Sequence, residues 1–283
     1  MAIYKVTDND LISIANAIRA KTGKTANIEF PTEFITEIGD ISGGVEILGG
    51  TSDPANSLGS NGDIYFKYLD FSDVPAIYKP LKSIQGTGTQ NINTGYTPSI
   101  YTKLSMRMNP QYIGSSAVLG SDWSLNGFFL MFYNNAFRWH TATSVDVPAV
   151  VSKDYLIEVD NSGITVDGTK YTTTPSASVT QQPISLFTTT VNSQGGKGQY
   201  ILYGVEIWES DTLERDMIPV KRVADSIIGL YDRVDGVFYT NSGTGSFVAG
   251  NEFNSSNPII NTYLKTGGVW LPVDECDWSD VII

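Results

Sequence analysis

A chain of 283 residues, 41% of them hydrophobic, has room for one to three domains and a substantial core. Its formal charge of −12 argues against nucleic acid or an anionic membrane surface as partner, because phosphate contacts need clustered Lys and Arg. The single cysteine, Cys276, and the single histidine, His140, exclude an internal disulfide, a thiolate metal cage and a His-rich zinc site.

The start, MAIYKVTDNDLISIANAIRAK, has no apolar core preceded by a basic region. The sequence therefore predicts synthesis in the cytoplasm without a signal peptide. The most apolar run, Phe128 to Phe132, is too short to span a bilayer, so no membrane insertion is expected.

The first predicted element is a helix. Thr7 suits its N-cap, Asp10 its positive end, and Leu11, Ile14, Ala15 and Ile18 form one apolar stripe. Gly23 suits the stop. A second short helix opens at Pro31, carries Phe34, Ile38 and Ile41 on one face, and ends at Ser42-Gly43-Gly44. Helices this short cannot bury their stripes alone. They pack on each other and on copies in neighbouring subunits, dock into a larger assembly, or fold back on the main domain.

From Val45 the composition turns to β. Gly49 to Pro54 and Gly59 to Asp63 are turn chemistry, and Ile64 to Tyr68 reads as a strand. Near the other end, Thr262 to Lys265 and Val269 to Pro272 flank Thr266-Gly267-Gly268, a hairpin signal. Between them, from about Tyr78 to Gly250, strands alternate with turns. Predicted strands include Lys103 to Met108, Ala117 to Leu119, Phe128 to Tyr133, Ala136 to His140, Tyr155 to Val159, Ile164 to Val166, Ile184 to Thr189 and Tyr200 to Trp208. Asp160 to Gly163 and Val166 to Thr169 read as hairpin turns. Many short strands without βαβ alternation predict a sandwich or jelly roll.

Three stretches carry a resemblance. Residues Asp8 to Ile41, containing LISIANAIRAKTGKTANIEFPTEFITEIGDI, resemble an N-terminal helical module of phage tail and minor structural proteins. Gly86 to Tyr96, GTGTQNINTGY, resembles the opening strand of LamG-like domains in phage and gut-bacterial surface proteins. Ile218 to Gly250 resembles the closing portion of those domains, where GLYD, a turn, FYTN and a GTG turn recur. Many relatives have Pro-Cys-Lys where this chain has Pro219-Val220-Lys221, and Val fills a similar buried volume. Thr51 to Pro54 with Leu58 to Tyr65, and Tyr263 to Trp270, resemble the two halves of a small phage-tail module, which points to an inserted guest domain; the alternative is two unrelated strands.

The resemblance implies an all-β protein built on a concanavalin-like (LamG-like) β-sandwich jelly roll. Residues 1–44 would be a helical assembly or attachment module, 45–70 and 259–283 the halves of a small β module, and 71–258 the jelly roll. It implies a virion structural protein of a phage tail tip or fibre, a homotrimer touching other tail proteins through residues 1–44. The host partner would be a cell-surface glycan. The alternatives are a decoration protein without a ligand and a glycan hydrolase.

The hydrolase reading lacks its residues. Glu158-Val159-Asp160 begins an alternating acidic motif but runs into Asn161-Ser162-Gly163, and Glu206 and Glu209 fall on opposite faces of a strand. His140 sits in Phe137-Arg138-Trp139-His140-Thr141 without a nucleophile elbow, so no catalytic residue is assigned. No cofactor is assigned either. Calcium has candidates by type only: Asp122, Asp160, Asn161 and Asp167. The candidate glycan-binding residues are Asp122, Trp123, Tyr133, Asn134, Asn135, Trp139 and His140, which combine aromatic platforms with groups that bond hydroxyls. Asn134-Asn135 reads as an exposed hairpin turn. Phe137 and Trp139 share one strand face and Arg138 and His140 the other, so Trp139 is a candidate for core as well as for ligand.

Overall fold

The computed structural model describes residues 14–16, 18–19, 47–60, 62–122, 127–179, 181–190, 196–253, 259–266 and 268–272. Thr7, the second helix from Pro31, Trp123 and Cys276 lie outside the described residues. Residues 14–16 and 18–19 are helical; Ile18 is buried against Ile47, whereas Ile14 of the same stripe is exposed. Among the described residues no helix is long and apolar enough to cross a membrane.

The other regular elements of the described residues are strands. In chain order the strands are β1 Ile47–Gly50, β2 Ile64–Tyr68, β3 Tyr78–Pro80, β4 Ile84–Gln85, β5 Ile92–Asn93, β6 Thr102–Pro110 and β7 Ser116–Gly120. Next come β8 Phe129–Tyr133, β9 Ala136–His140, β10 Ser144–Pro148, β11 Tyr155–Asp160, β12 Gly163–Val166, β13 Thr169–Thr172, β14 Ser185–Leu186 and β15 Gly196–Lys197. The last are β16 Tyr200–Glu209, β17 Thr212–Arg222, β18 Ile228–Asp232, β19 Phe238–Thr240, β20 Val248–Ala249, β21 Ile259–Thr266 and β22 Val269–Pro272.

The chain divides into two compact units, Met1–Ser72 with Ser255–Ile283, and Asp73–Asn254. In the first, β1 runs parallel to β2, and β2, β21 and β22 continue antiparallel, so strands from both ends of the sequence share one sheet. Tyr65 meets Tyr263 and Trp270 edge-on at 6.2 and 5.7 Å. Lys265 is buried beside them, and its ammonium donates to the carbonyls of Asn56, Leu58 and Gly59. Three donors meet three acceptors, which is why a lysine tolerates burial here.

The second unit is a sandwich of two sheets. One runs β10-β9-β8-β7-β14-β5, with β15 parallel to β7; the other runs β13-β12-β11-β6-β16-β17-β18-β19, with β3, β4 and β20 at its side. Apart from β15, every pairing in both sheets is antiparallel. Alternation decides the inner face: Leu104, Met106 and Met108 of β6, and Tyr155, Ile157 and Val159 of β11, all join one core with Leu130, Phe132, Phe137 and Trp139. Groups from opposite sheets touch across it. Phe137 meets Tyr155 edge-on at 5.0 Å, Trp139 Nε1 donates to the Asp160 carbonyl at 3.0 Å, and Tyr200 donates to the Val118 carbonyl at 3.0 Å.

The ends of this unit are zipped together. Leu81 bridges Glu252, β4 pairs β20, and the amides of Lys82, Gly250 and Phe253 bond carbonyls of the opposite end. The GTGTQN and TNSGTG stretches form a clasp. Asn241 accepts from the amides of Asn91 and Gly243 and donates to the Gly245 carbonyl, and the Ser242 and Thr244 amides bond Asn91 and Thr89. A Cβ on Gly243 would stand 2.3 Å from the Thr89 carbonyl oxygen, so glycine is required for the close approach. GLYD also has a physical reason. A Cβ on Gly229 would lie 2.2 Å from the Tyr239 carbonyl oxygen, and Asp232 is a fully buried acid beside Arg215.

Glu209 adds a pH-dependent brace. It accepts from Tyr96 at 2.8 Å, Thr102 at 2.8 Å and Ser99. Burial pushes its carboxyl up, but the three hydroxyl bonds outweigh that and hold it below its ordinary value, while burial and Glu209 push the Tyr96 phenol up to about 12. Asp154 is lowered in the same manner: burial opposes, and Asn109, Tyr203 and Arg107 prevail. With folded values depressed, the unfolded chain binds more protons in acid. This stabilisation is complete above the ordinary carboxyl range of about 4 and is lost as pH falls through the folded values. The urea midpoint should drop between about pH 5 and pH 3, and Glu209→Gln should flatten the drop; a midpoint constant over that span overturns the assignment.

Candidate functional site

The accessible face of the smaller sheet is built by β8, β9 and β10. Their core-facing residues are Leu130, Phe132, Phe137, Trp139, Val145 and Val147. Alternation therefore turns Phe129, Met131, Tyr133, Arg138, His140, Ser144 and Asp146 to the other face. The register sets them in rows: Phe129, His140 and Ser144 in one, Met131, Arg138 and Asp146 in the next, with Tyr133 at the hairpin end.

Each row is bonded internally. His140 stacks on Phe129 at 4.9 Å and 24°, and its Nδ1 lies 2.8 Å from Ser144 Oγ. Arg138 makes a two-pronged pair with Asp146, Nε to Oδ1 at 2.7 Å and Nη2 to Oδ2 at 2.6 Å. Its guanidinium also lies 3.7 Å from the centre of the Tyr133 ring. The Asp146 bonds push the Arg138 pKa further up. Phe129 and Met131 are buried despite facing away from the core, so the open part of this face is Tyr133, Arg138, His140, Ser144 and Asp146.

Asn134 and Asn135 stand at the hairpin between β8 and β9. Their φ angles are 48° and 61°, the left-handed pair that a two-residue turn of right twist needs, and asparagine tolerates it. The Asn135 amide donates to Ile113, and its carbonyl accepts from Ala149. The backbone is thereby fixed while both side chains remain exposed. The turn projects beside Tyr133, which closes β8.

Trp139 belongs elsewhere. It is fully buried, packs edge-on against Phe128 at 4.7 Å and bonds the Asp160 carbonyl, so it serves the core and leaves the candidate surface. Asp122 is 7% exposed, which leaves little of it for a ligand, and Trp123 lies outside the described residues. The structure thus sets Tyr133, Asn134 and Asn135 together at the hairpin end and His140 on the same face at the opposite end of β9. It adds Arg138, Ser144 and Asp146, which were not named as candidates. The alternation of Ser144-Val145-Asp146-Val147 was a readable strand signal for β10, but the register that sets Asp146 opposite Arg138 was not.

The acids considered for hydrolysis or calcium are engaged singly. Glu158 pairs with Lys103 at 2.9 Å, and Asp160 with Lys170 at 2.8 Å and the Ser162 amide at 2.7 Å. Asp167 pairs with Lys153 and accepts from the Leu156 amide, and Asn161 brackets Ser176 through both amide atoms. Glu206 accepts from Trp208 Nε1 at 3.2 Å. Among the described residues no cluster of three or more His, Cys, Asp or Glu could hold a metal.

No protein-family model matches the chain, and no curated protein matches it.

Proposed function

We propose that the chain is a virion structural protein of a phage tail tip or fibre and that Asp73–Asn254 is a LamG-like jelly roll acting as a glycan-binding adhesin, without catalytic activity. The observation that carries the reading is the open face on β8, β9 and β10. One partly accessible aromatic, Tyr133, lies beside two exposed amides and Arg138 with its partner Asp146, and His140 and Ser144 continue the same face. Ring faces with adjoining donors and acceptors suit sugar rings and their hydroxyls. The clasp adds support, because the two stretches that resemble opening and closing segments of such domains bond each other here. In this reading residues 1–44 dock to other tail proteins and the particle carries the chain as a homotrimer.

A specific observation favours a second reading, a decoration protein with no ligand. Arg138 and Asp146 satisfy each other on this face, as a solvated spacer surface would. A glycan array separates the two. The adhesin reading expects discrete hits that weaken about tenfold or more in Tyr133→Ala, the usual scale for truncating an aromatic anchor. No hit would leave the decoration reading; hits indifferent to Tyr133→Ala would keep an adhesin but move its site away from this face.

A further inference from the structure

We infer that the face formed by Tyr133, Arg138 and Asp146 takes uncharged glycans and rejects anionic ones. The inference rests on the adhesin reading and names its ligand class. Anion recognition by arginine uses the planar fork, two parallel N–H donors aimed at one acid. Here the side-on edge of that fork is spent: Nε and Nη2 both donate to Asp146, at 2.7 and 2.6 Å. The flat side of the guanidinium is occupied as well, 3.7 Å from the Tyr133 ring centre. A sugar carboxylate or phosphate would have to expel Asp146 from that edge or take the Nη1 side with the Asp146 carboxylate still alongside, and in either place two acids face each other. The pair sums to zero charge, one Arg against one Asp.

The surroundings push the same way. The chain carries a formal charge of −12, so a polyanion approaches against a repulsive field that reaches about 8 Å at physiological ionic strength. What the face offers beyond the pair is mixed donor and acceptor chemistry: the amides of Asn134 and Asn135, the Ser144 hydroxyl and the Tyr133 phenol. Hydroxyls, which both donate and accept, match such a set. Carboxylates and sulfates, which only accept, do not.

Asp146 is then a selectivity residue, and removing its charge should unmask Arg138. The test is the full chain and its Asp146→Asn variant on an array holding neutral oligosaccharides and their uronate and sulfate counterparts, at about 0.05 and 0.5 M NaCl, a span that changes screening severalfold. The wild-type chain is expected to bind neutral members alone, with little dependence on salt. Asp146→Asn, checked for folding by circular dichroism, is expected to gain acidic members about tenfold or more over wild type, and to lose that gain at high salt. Wild-type binding to acidic members that weakens with salt overturns the ligand class but leaves the adhesin reading standing. Neutral binding that Asp146→Asn leaves without any acidic gain also overturns it, since Arg138 would not be the masked group. An array with no hits for either protein overturns the adhesin reading and the inference together.

Discussion

Asp232→Ala should destabilise the Asp73–Asn254 unit by about 3–5 kcal/mol, the range for removing one partner of a buried ion pair. Asp232 is fully buried. Its Oδ1 accepts from the amides of Asp216 at 3.0 Å and Val234 at 3.1 Å. Its Oδ2 faces Arg215 Nε at 3.3 Å, an ion pair held by charge without a hydrogen bond between those two atoms. Alanine would remove the acceptor from two amides and the counter-charge from a mostly buried guanidinium. Arg215 keeps a second partner in Asp235 at 2.6 Å, which places the cost toward the lower end of the range. Asp232→Asn retains an oxygen for the amides and should cost about half as much, the remainder being the charge. Urea denaturation of both variants measures this; a loss under about 1 kcal/mol in Asp232→Ala would show that the buried acid is dispensable.

Elements with one wet face were the legible ones. β6 alternates buried and exposed along Thr102–Pro110, and its hydrophobic positions could be read directly. Turns were legible where the side chain dictates φ: Asn134-Asn135, and Asp167-Gly168 at 48° and 81°. Legibility failed where both faces are covered. β8, FLMFY, is apolar on either side, so periodicity says nothing about which residues face the second sheet. It failed again at Ile184 to Thr189, which reads as one strand. The strand stops at Leu186 because Phe187 adopts φ 67°, its ring stacking on Tyr200 at 4.1 Å and its amide bonding the Tyr200 hydroxyl. Tertiary packing there overrides local preference. β17 hid for a third reason. It carries Glu214, Arg215 and Asp216, charges that a strand accommodates here through partners on distant segments such as Arg233 and Asp235.

The candidate site was legible in its residue types but not in its pairing. An aromatic, two asparagines and a histidine within one hairpin are visible in sequence, whereas the Arg138–Asp146 pair depends on β9 meeting β10 in one register. A slip of one residue would turn Asp146 into the core and Val145 outward.

Trp139 is open in sequence between core and ligand, the structure buries it in the core, and its substitution carries the second large effect. Trp139→Ala is expected to cost about 3–5 kcal/mol, the range for deleting a buried large aromatic. The indole is fully enclosed, its edge contact with Phe128 is lost, and the Asp160 carbonyl in the facing sheet loses its donor. Phenylalanine at the same place keeps most of the ring volume but not the N–H, so Trp139→Phe should cost about 1–2 kcal/mol, a hydrogen bond and a small void. A ligand platform would behave in the opposite sense: little stability lost, much affinity lost. Thermal denaturation combined with the glycan array separates them. Folded Trp139→Phe should bind with wild-type affinity while Tyr133→Ala does not, because the former acts between the sheets and the latter on the open side of one of them. Equal stability of Trp139→Ala and the wild-type chain would remove Trp139 from the core and return it to the surface.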